Sequence, residues 1–198
     1  RLLVKRELIQ DNNIKFPLGI PLMEDLIFCI NAFIRCRQIA IEEGFYYHYF
    51  LDSAYSYRED LYEIHKKVYR ILERIVRDNN LYDMAEPRLK TRYVNMCLTS
   101  VYNEARSMNR KKLRDKLAFI KRICRDKKLK QILDNLPVKD LKLKRKLILF
   151  ALKHELGICL YAYYKMVILK YALKYFRNSV FIRSRNEKSR SHNPERLF

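Results

Sequence analysis

The chain has 198 residues, of which 49% are hydrophobic, enough to bury the core of one domain or of two small ones. Its 3 glycines and 5 prolines are too few for the tight turns of a sandwich, a barrel or a phosphate-cradling loop protein, so helix should dominate. Lys and Arg total 42 against 22 Asp and Glu, and the resulting charge of +20 favours an anionic partner, either nucleic acid or acidic membrane.

In chain order, residues 3–12 suit a short helix that Asn12 and Asn13 would end, and Pro17, Gly19 and Pro21 mark a loop. A second helix should start near Met23 and close near residue 37, since Leu26, Ile27, Ile30, Phe33 and Ile34 recur at helical spacing. Ile39, Ile41, Phe45, Tyr47 and Tyr49 alternate about Gly44, which predicts a small β element. From Asp60 onward the pattern is helical. Leu61, Ile64, Val68, Ile71, Leu72 and Ile75 form one stripe, and Asn79 and Asn80 end it. Pro87 should open a helix over about 88–107, followed by basic helices near 111–126 and 128–135 and by a break at Pro137.

One long helix is then expected over 141–177, with a middle that is apolar nearly all round. Such a helix needs burial by other helices, by a second copy of the chain, or by a membrane interface, so a homo-oligomer through 141–177 is one expectation. The longest uncharged stretch of the C-terminal half, Leu156 to Tyr164, falls well short of the roughly 20 residues of a spanning helix, and no transmembrane segment is expected. The Ser-, Arg- and Asn-rich tail, 178–198, should be disordered.

Five cysteines, at 29, 36, 97, 124 and 159, form no CxxC pair and have no metal-ligand spacing, which reads as free thiols in a reducing cytoplasm. Cys29 and Cys36, seven residues apart, should share a helix face as small buried apolar side chains. Residues 110–128, with Arg110, Lys111, Lys112, Arg114, Lys116, Lys121, Arg122, Arg125, Lys127 and Lys128, are the densest basic run. They would face either acidic lipid headgroups or plain solvent.

The candidate chemistry sits at Glu24 and Asp25. They follow a Pro-containing loop and enter the first turn of a helix, where unpaired backbone amides favour negative charge. A carboxylate there can accept a proton from a bound hydroxyl, although acidic residues also occupy first turns simply as capping groups.

Three stretches decide between these readings: Asn13-Ile14-Lys15-Phe16-Pro17-Leu18-Gly19, then Met23-Glu24-Asp25-Leu26-Ile27-Phe28, then Phe45-Tyr46-Tyr47-His48-Tyr49. In order and spacing they resemble the N-x-(I/F)-x-F-P-x-G loop, the E-D-x-x-F helix start and the aromatic Y-Y-x-Y strand of bacterial family 2 glycosyltransferases. The resemblance covers about 45 residues. It departs from the family at Leu51-Asp52-Ser53-Ala54, where an N-x-x-S is common.

The resemblance implies that Asp25 is the general base of an inverting transfer, with Glu24 orienting it or holding an acceptor hydroxyl. Phe16, Tyr47, Tyr49 and His48 would line the substrate site, and His48 is also a candidate metal or diphosphate contact. Residues 1–57 would be the C-terminal piece of an A-type catalytic domain, a small α/β unit. Residues 58–177 would form a basic helical region and 178–198 a tail, so the chain as a whole is mainly α.

The divalent metal (Mn or Mg) of these enzymes is held mainly by an Asp-x-Asp motif of their N-terminal half, and this sequence contains no Asp-x-Asp. The chain alone is therefore expected to be inactive. The implied partners are a nucleotide-sugar donor, a glycan or lipid-linked acceptor and an anionic membrane surface. The implied location is cytoplasmic, peripheral at the inner face of the membrane. The alternative is a basic helical module, binding nucleic acid or attached to membrane, without catalysis. It rests on the charge and 15 tyrosines. No nucleic-acid-binding motif accompanies them, so nucleic acid is not the expected partner.

Overall fold

A computed structural model describes residues 3–41, 57–137 and 140–173. Helices run over Arg6–Asp11 (α1), Glu24–Arg35 (α2), Leu61–Asp78 (α3), Tyr82–Glu104 (α4), Leu113–Cys124 (α5), Lys127–Asp134 (α6) and Leu143–Lys153 (α7), with a further helix over 157–173 (α8). The chain is mainly α, as its composition requires, and no strand occurs among the described residues. Ile39 and Ile41 are exposed and belong to no element, so the expected small α/β piece is not seen there. The aromatic stretch 45–49 lies outside the described residues, as does the tail 178–198.

The core is built on α3 against α4. Leu61, Ile64, Val68, Leu72 and Val76 recur every three or four residues along α3 and are buried. Ile64, Val68, Leu72 and Val76 share one cluster with Leu89, Tyr93, Val94, Cys97, Leu98 and Val101 of α4. Ile120, Ile123 and Cys124 of α5, Leu129, Ile132 and Leu133 of α6, and Leu149, Leu152 and Leu160 extend the same cluster. Ile20 and Ile27 join it from the N-terminal side, so α2 is seated on α3 by shared apolar burial.

Three helix ends close in one way, with a left-handed residue that lets a later amide reach back to the last turn. After α1, Asn13 has φ 48°, and the Ile14 amide donates to Ile9 O at 3.0 Å. After α3, Asn80 has φ 56°, and the Leu81 amide donates to Val76 O at 2.8 Å. After α7, Glu155 has φ 57°, and the Leu156 amide donates to Ala151 O at 2.8 Å. The single helix expected over 141–177 is therefore two helices. The chain turns at Glu155 so that Leu152 and Leu160, on either side of the turn, can both enter the core.

Pro87 also differs from expectation. It lies inside α4, which begins five residues earlier because Leu81 O accepts from the Ala85 amide at 3.0 Å and Leu81, Tyr82 and Ala85 pack on the core. The Arg77 guanidinium covers the Tyr82 ring at 3.6 Å. Packing of this first turn outweighs the single hydrogen bond that the proline removes.

Two polar centres, one half-buried at Asp126 and one buried at Glu104, fix the helices relative to one another. Asp126 caps α6 by accepting from the Leu129 amide. It also accepts from the hydroxyls of Tyr62 on α3 and Tyr93 on α4, all at 2.9 Å. At the end of α4, Glu104 is fully buried. Its carboxylate accepts from Asn109 Nδ2 at 2.7 Å and from the Tyr57 hydroxyl at 3.3 Å. Asn103 pairs its amide with both backbone groups of Arg58, at 3.1 and 2.7 Å. This pairing anchors the segment that leads into α3.

All five cysteines are free. The expectation that Cys29 and Cys36 are buried together is corrected: both are half-buried, and Cys36 lies past the end of α2, where its Sγ donates to Phe33 O at 3.2 Å. The buried thiols are Cys97 and Cys124, and burial pushes Cys124 up to about 11.

Candidate functional site

The loop before α2 is pinned at four points. Ile14 and Ile20 are buried at its two ends. Gly19 takes φ 68°, a left-handed turn that suits glycine, and its carbonyl accepts from Lys67 Nζ of α3 at 3.2 Å. Phe16 stacks flat on Phe28 of α2, with ring centroids 4.4 Å apart and planes 7° from parallel. Loop and helix start are thereby one unit, although they are distant in local sequence pattern.

Met23 precedes α2 with φ 64°. A left-handed conformation costs a non-glycine residue about 1–2 kcal/mol and is found where the surroundings demand it. Here it turns the chain from the pinned loop into α2, whose first residues are Glu24 and Asp25. Met23, in the N-cap position, offers no side-chain cap, and of the leading amides that of Leu26 is taken by the Asp25 carboxylate.

Asp25 is exposed, and one of its oxygens, Oδ1, accepts from the Leu26 amide at 2.7 Å. That bond fixes the carboxylate on the rim of the helix start and leaves Oδ2 open. Glu24 is half-buried. The structure thus brings Phe16, Glu24 and Asp25 onto one loop-and-helix unit. His48, Tyr47 and Tyr49 lie outside the described residues. Among those described, no cluster of three or more His, Cys, Asp or Glu side chains is able to hold a metal ion.

In the basic run 110–128, Arg110, Lys112, Arg114, Lys121, Arg122, Arg125 and Lys127 are exposed, while several of its members also have partners within the chain. Lys111 Nζ reaches Glu59 at 2.9 Å and lies 4.0 Å from Glu104. The Lys116 ammonium is buried and donates to Asn109 O at 2.6 Å. Arg122 pairs with Glu63, Arg125 with Glu155 at 2.6 Å, and Lys128 with Glu73 at 2.8 Å. Burial opposes the charge on Lys111, but its bonds to Tyr57 and Glu59 and the nearby Glu104 carboxylate outweigh that and raise its pKa.

A cleft that the sequence did not predict opens between α4, α7 and α8. This cleft of about 280 Å³ is lined by Asn95, Leu98, Thr99, Tyr102, Arg145 and Tyr164. Arg145 Nη2 donates to Asn95 Oδ1 at 2.6 Å, and Tyr102 and Tyr164 meet edge to face at 5.7 Å. Burial, with Tyr163 beside it, pushes the Tyr164 phenol up to about 12. The α4 residues recur at helical spacing, a signal present in the sequence. Arg145, fifty positions away, is placed by the fold alone.

Comparison with known proteins adds one relation. Over about half its length the chain is similar to a glycosyltransferase. The similarity is to the poly(ribitol-phosphate) beta-glucosyltransferase of Bacillus spizizenii, 25% identical over 107 residues. That stretch is 54% of this chain and 17% of the relative, so the match spans about one sixth of the relative's length. No family model matches the chain, and no solved structure matches it.

Proposed function

We propose that the chain is the acceptor-side part of an inverting family 2 glycosyltransferase that moves a sugar from a nucleotide-sugar to a hydroxyl of a glycan or lipid-linked acceptor. The observation that carries this reading is the similarity to a glucosyltransferase over 107 residues. The pinned loop and the two carboxylates in the first turn of α2 are compatible with it. The name of that relative points to phosphate-linked polyols as one class of acceptor.

In this reading Asp25 is the general base. The acceptor oxygen attacks the anomeric carbon, and a new C–O bond forms as the bond to the nucleotide diphosphate breaks on the opposite face. The hydroxyl proton passes to the open oxygen of Asp25. The bond from the Leu26 amide to Oδ1 holds the carboxylate in one orientation, so the base need not reorganise as the proton arrives. Glu24 orients the acceptor hydroxyl, Phe16 forms an apolar wall, and Tyr47, Tyr49 and His48 supply the remaining contacts.

The nucleotide-sugar, and a divalent metal (Mn or Mg) on its diphosphate, would be held by residues outside those described, and the chain alone would not turn over. The work would be done in the cytoplasm, at the inner face of the membrane.

The test is Asp25→Asn in the complete gene product. Transfer should fall by about 10²–10⁴-fold, while nucleotide-sugar affinity and melting temperature stay unchanged. Turnover within twofold of the parent would remove Asp25 from the mechanism.

A further inference from the structure

The two C-terminal helices carry apolar surface on the side away from the core. In α7, Leu149, Ala151 and Leu152 are buried, while Leu143, Leu147 and Phe150 are 72%, 60% and 56% exposed. These three recur at i, i+4 and i+7 and form one ridge. At about 3.6 residues per turn, Lys144 falls on one flank of that ridge and Lys146 on the other. The pattern repeats in α8. Leu160 is buried, whereas Ile158, Met166, Leu169 and Leu173 are 60–70% exposed on the opposite side. Lys165 and Lys170 fall on the two flanks of this second ridge.

Contiguous exposed apolar surface on a helix marks something that covers it. The flanking charges say what kind of surface that is. Among the described residues no carboxylate pairs with Lys144, Lys146, Lys165 or Lys170, and two of the four lie over tyrosine rings, Lys144 over Tyr163 at 5.5 Å and Lys165 over Tyr161 at 5.7 Å. An apolar ridge between rows of lysine, with aromatic rings beside them, matches the boundary between acyl chains and anionic headgroups. A second copy fits less well, because the chain carries +20 and symmetric contact would bring the lysine rows together. The segment 174–198 is no better cover, holding seven Lys and Arg against two Glu.

We propose that the outer ridges of α7 and α8 dock the protein onto an anionic lipid bilayer, the apolar side chains entering the headgroup region and the lysines pairing with lipid phosphates. The contact is superficial, since no helix among the described residues is long and apolar enough to cross a membrane. It is separate from the basic run 110–128, where Lys111, Arg122, Lys128 and Arg125 pair with Glu59, Glu63, Glu73 and Glu155. It does not depend on any transferase activity.

The experiment is co-sedimentation of the full chain with vesicles of phosphatidylglycerol and phosphatidylcholine, and with phosphatidylcholine alone, at low and high salt. Binding should require the anionic lipid and weaken with salt. Lys144→Gln with Lys146→Gln should lower affinity by roughly 25-fold, about fivefold per lysine. Leu147→Ser with Phe150→Ser should abolish binding that persists at high salt. These side chains lie opposite the core, so circular dichroism and urea midpoints should match the parent. The charge-matched control Lys121→Gln with Lys127→Gln should cost clearly less than the α7 pair.

Equal pelleting on neutral and anionic vesicles, or an equal loss in that control, would overturn the proposal. So would retention on single-stranded RNA in place of vesicles. A concentration-dependent oligomer seen by sedimentation equilibrium, abolished by Leu147→Ser with Phe150→Ser and accompanied by no vesicle binding, would assign the ridges to self-association instead.

Discussion

Phe16 lies flat on Phe28, with centroids 4.4 Å apart, and this one contact joins the loop motif to the helix that carries Glu24 and Asp25. A stacked aromatic pair contributes about 0.5–1.5 kcal/mol beyond simple area burial. Phe16→Ala should therefore lower the stability of the chain by about 1 kcal/mol, read as a shift in urea midpoint, with an unchanged m-value. Under the proposed transferase reading it should raise KM for the acceptor more than it lowers kcat. An unchanged midpoint would show that the loop is held by Ile14, Ile20 and Lys67 without the stack.

Asparagine pairs made two helix ends legible in the sequence, because Asn12–Asn13 and Asn79–Asn80 place a residue tolerant of left-handed geometry where an apolar stripe stops. The turn at Glu155 carried no such signal. Glutamate seldom adopts positive φ, and the residues on both sides continue a helical pattern, so α7 and α8 read as one helix. Pro87 misled in the opposite direction, because the packing of Leu81 and Tyr82 is a tertiary effect. The start of α2 at Glu24 and Asp25 was legible, whereas the stacking of Phe16 on Phe28 was not. The cleft around Arg145 and the internal use of Lys111 and Lys116 were not, because their partners lie 7–52 positions away in the chain.

Tyr62 and Tyr93 both donate to Asp126, and burial, reinforced by Cys97 and the Asp126 carboxylate, raises both phenol pKa values above the ordinary 10.0. A phenol with a raised folded pKa contributes stability that is fully present below the unfolded value. That contribution is lost as pH rises above it. Stability should therefore decline from about pH 10 upward, and absorbance at 295 nm should show these phenols ionising with unfolding rather than as independent titrations. Asp126→Ala leaves both hydroxyls unpaired and α6 uncapped, which should cost about 3 kcal/mol. A loss below about 1 kcal/mol would show that water replaces the carboxylate.

Gly157 opens α8 against α5. A Cβ built there would lie 3.5 Å from Ile120 Cγ2 and 3.8 Å from Leu117 O, both ordinary contacts, and its φ is not positive. Gly157→Ala should thus raise stability by about 0.5–1 kcal/mol by restricting the unfolded chain. A destabilised variant would mean that α5 and α8 pack more closely than these distances allow.

Glu155, in the turn between α7 and α8, ties that turn to the residue that ends α5 and to α6. Its carboxylate pairs with Lys130 Nζ at 2.7 Å and with Arg125 Nε at 2.6 Å. Those bonds, that from Lys130 foremost, hold its pKa down to about 2 from an ordinary 4.5. A depressed carboxylate contributes stability that is present above the unfolded value and is lost as pH falls through the folded one. The protein should therefore lose this contribution between about pH 4.5 and pH 2. Because the pairs are partly solvent-exposed, the loss should be larger in low salt than in high. Glu155→Gly separates the two roles of the residue. Glycine takes the left-handed turn without strain, so α7 and α8 should keep their break and the circular dichroism its intensity, while the pH dependence attributable to this carboxylate disappears. A Glu155→Gly variant that kept the parent's acid profile at low salt would show that other carboxylates govern that range. One that lost helix content would show that the Arg125 and Lys130 pairs, rather than the backbone turn, hold α8 against the core.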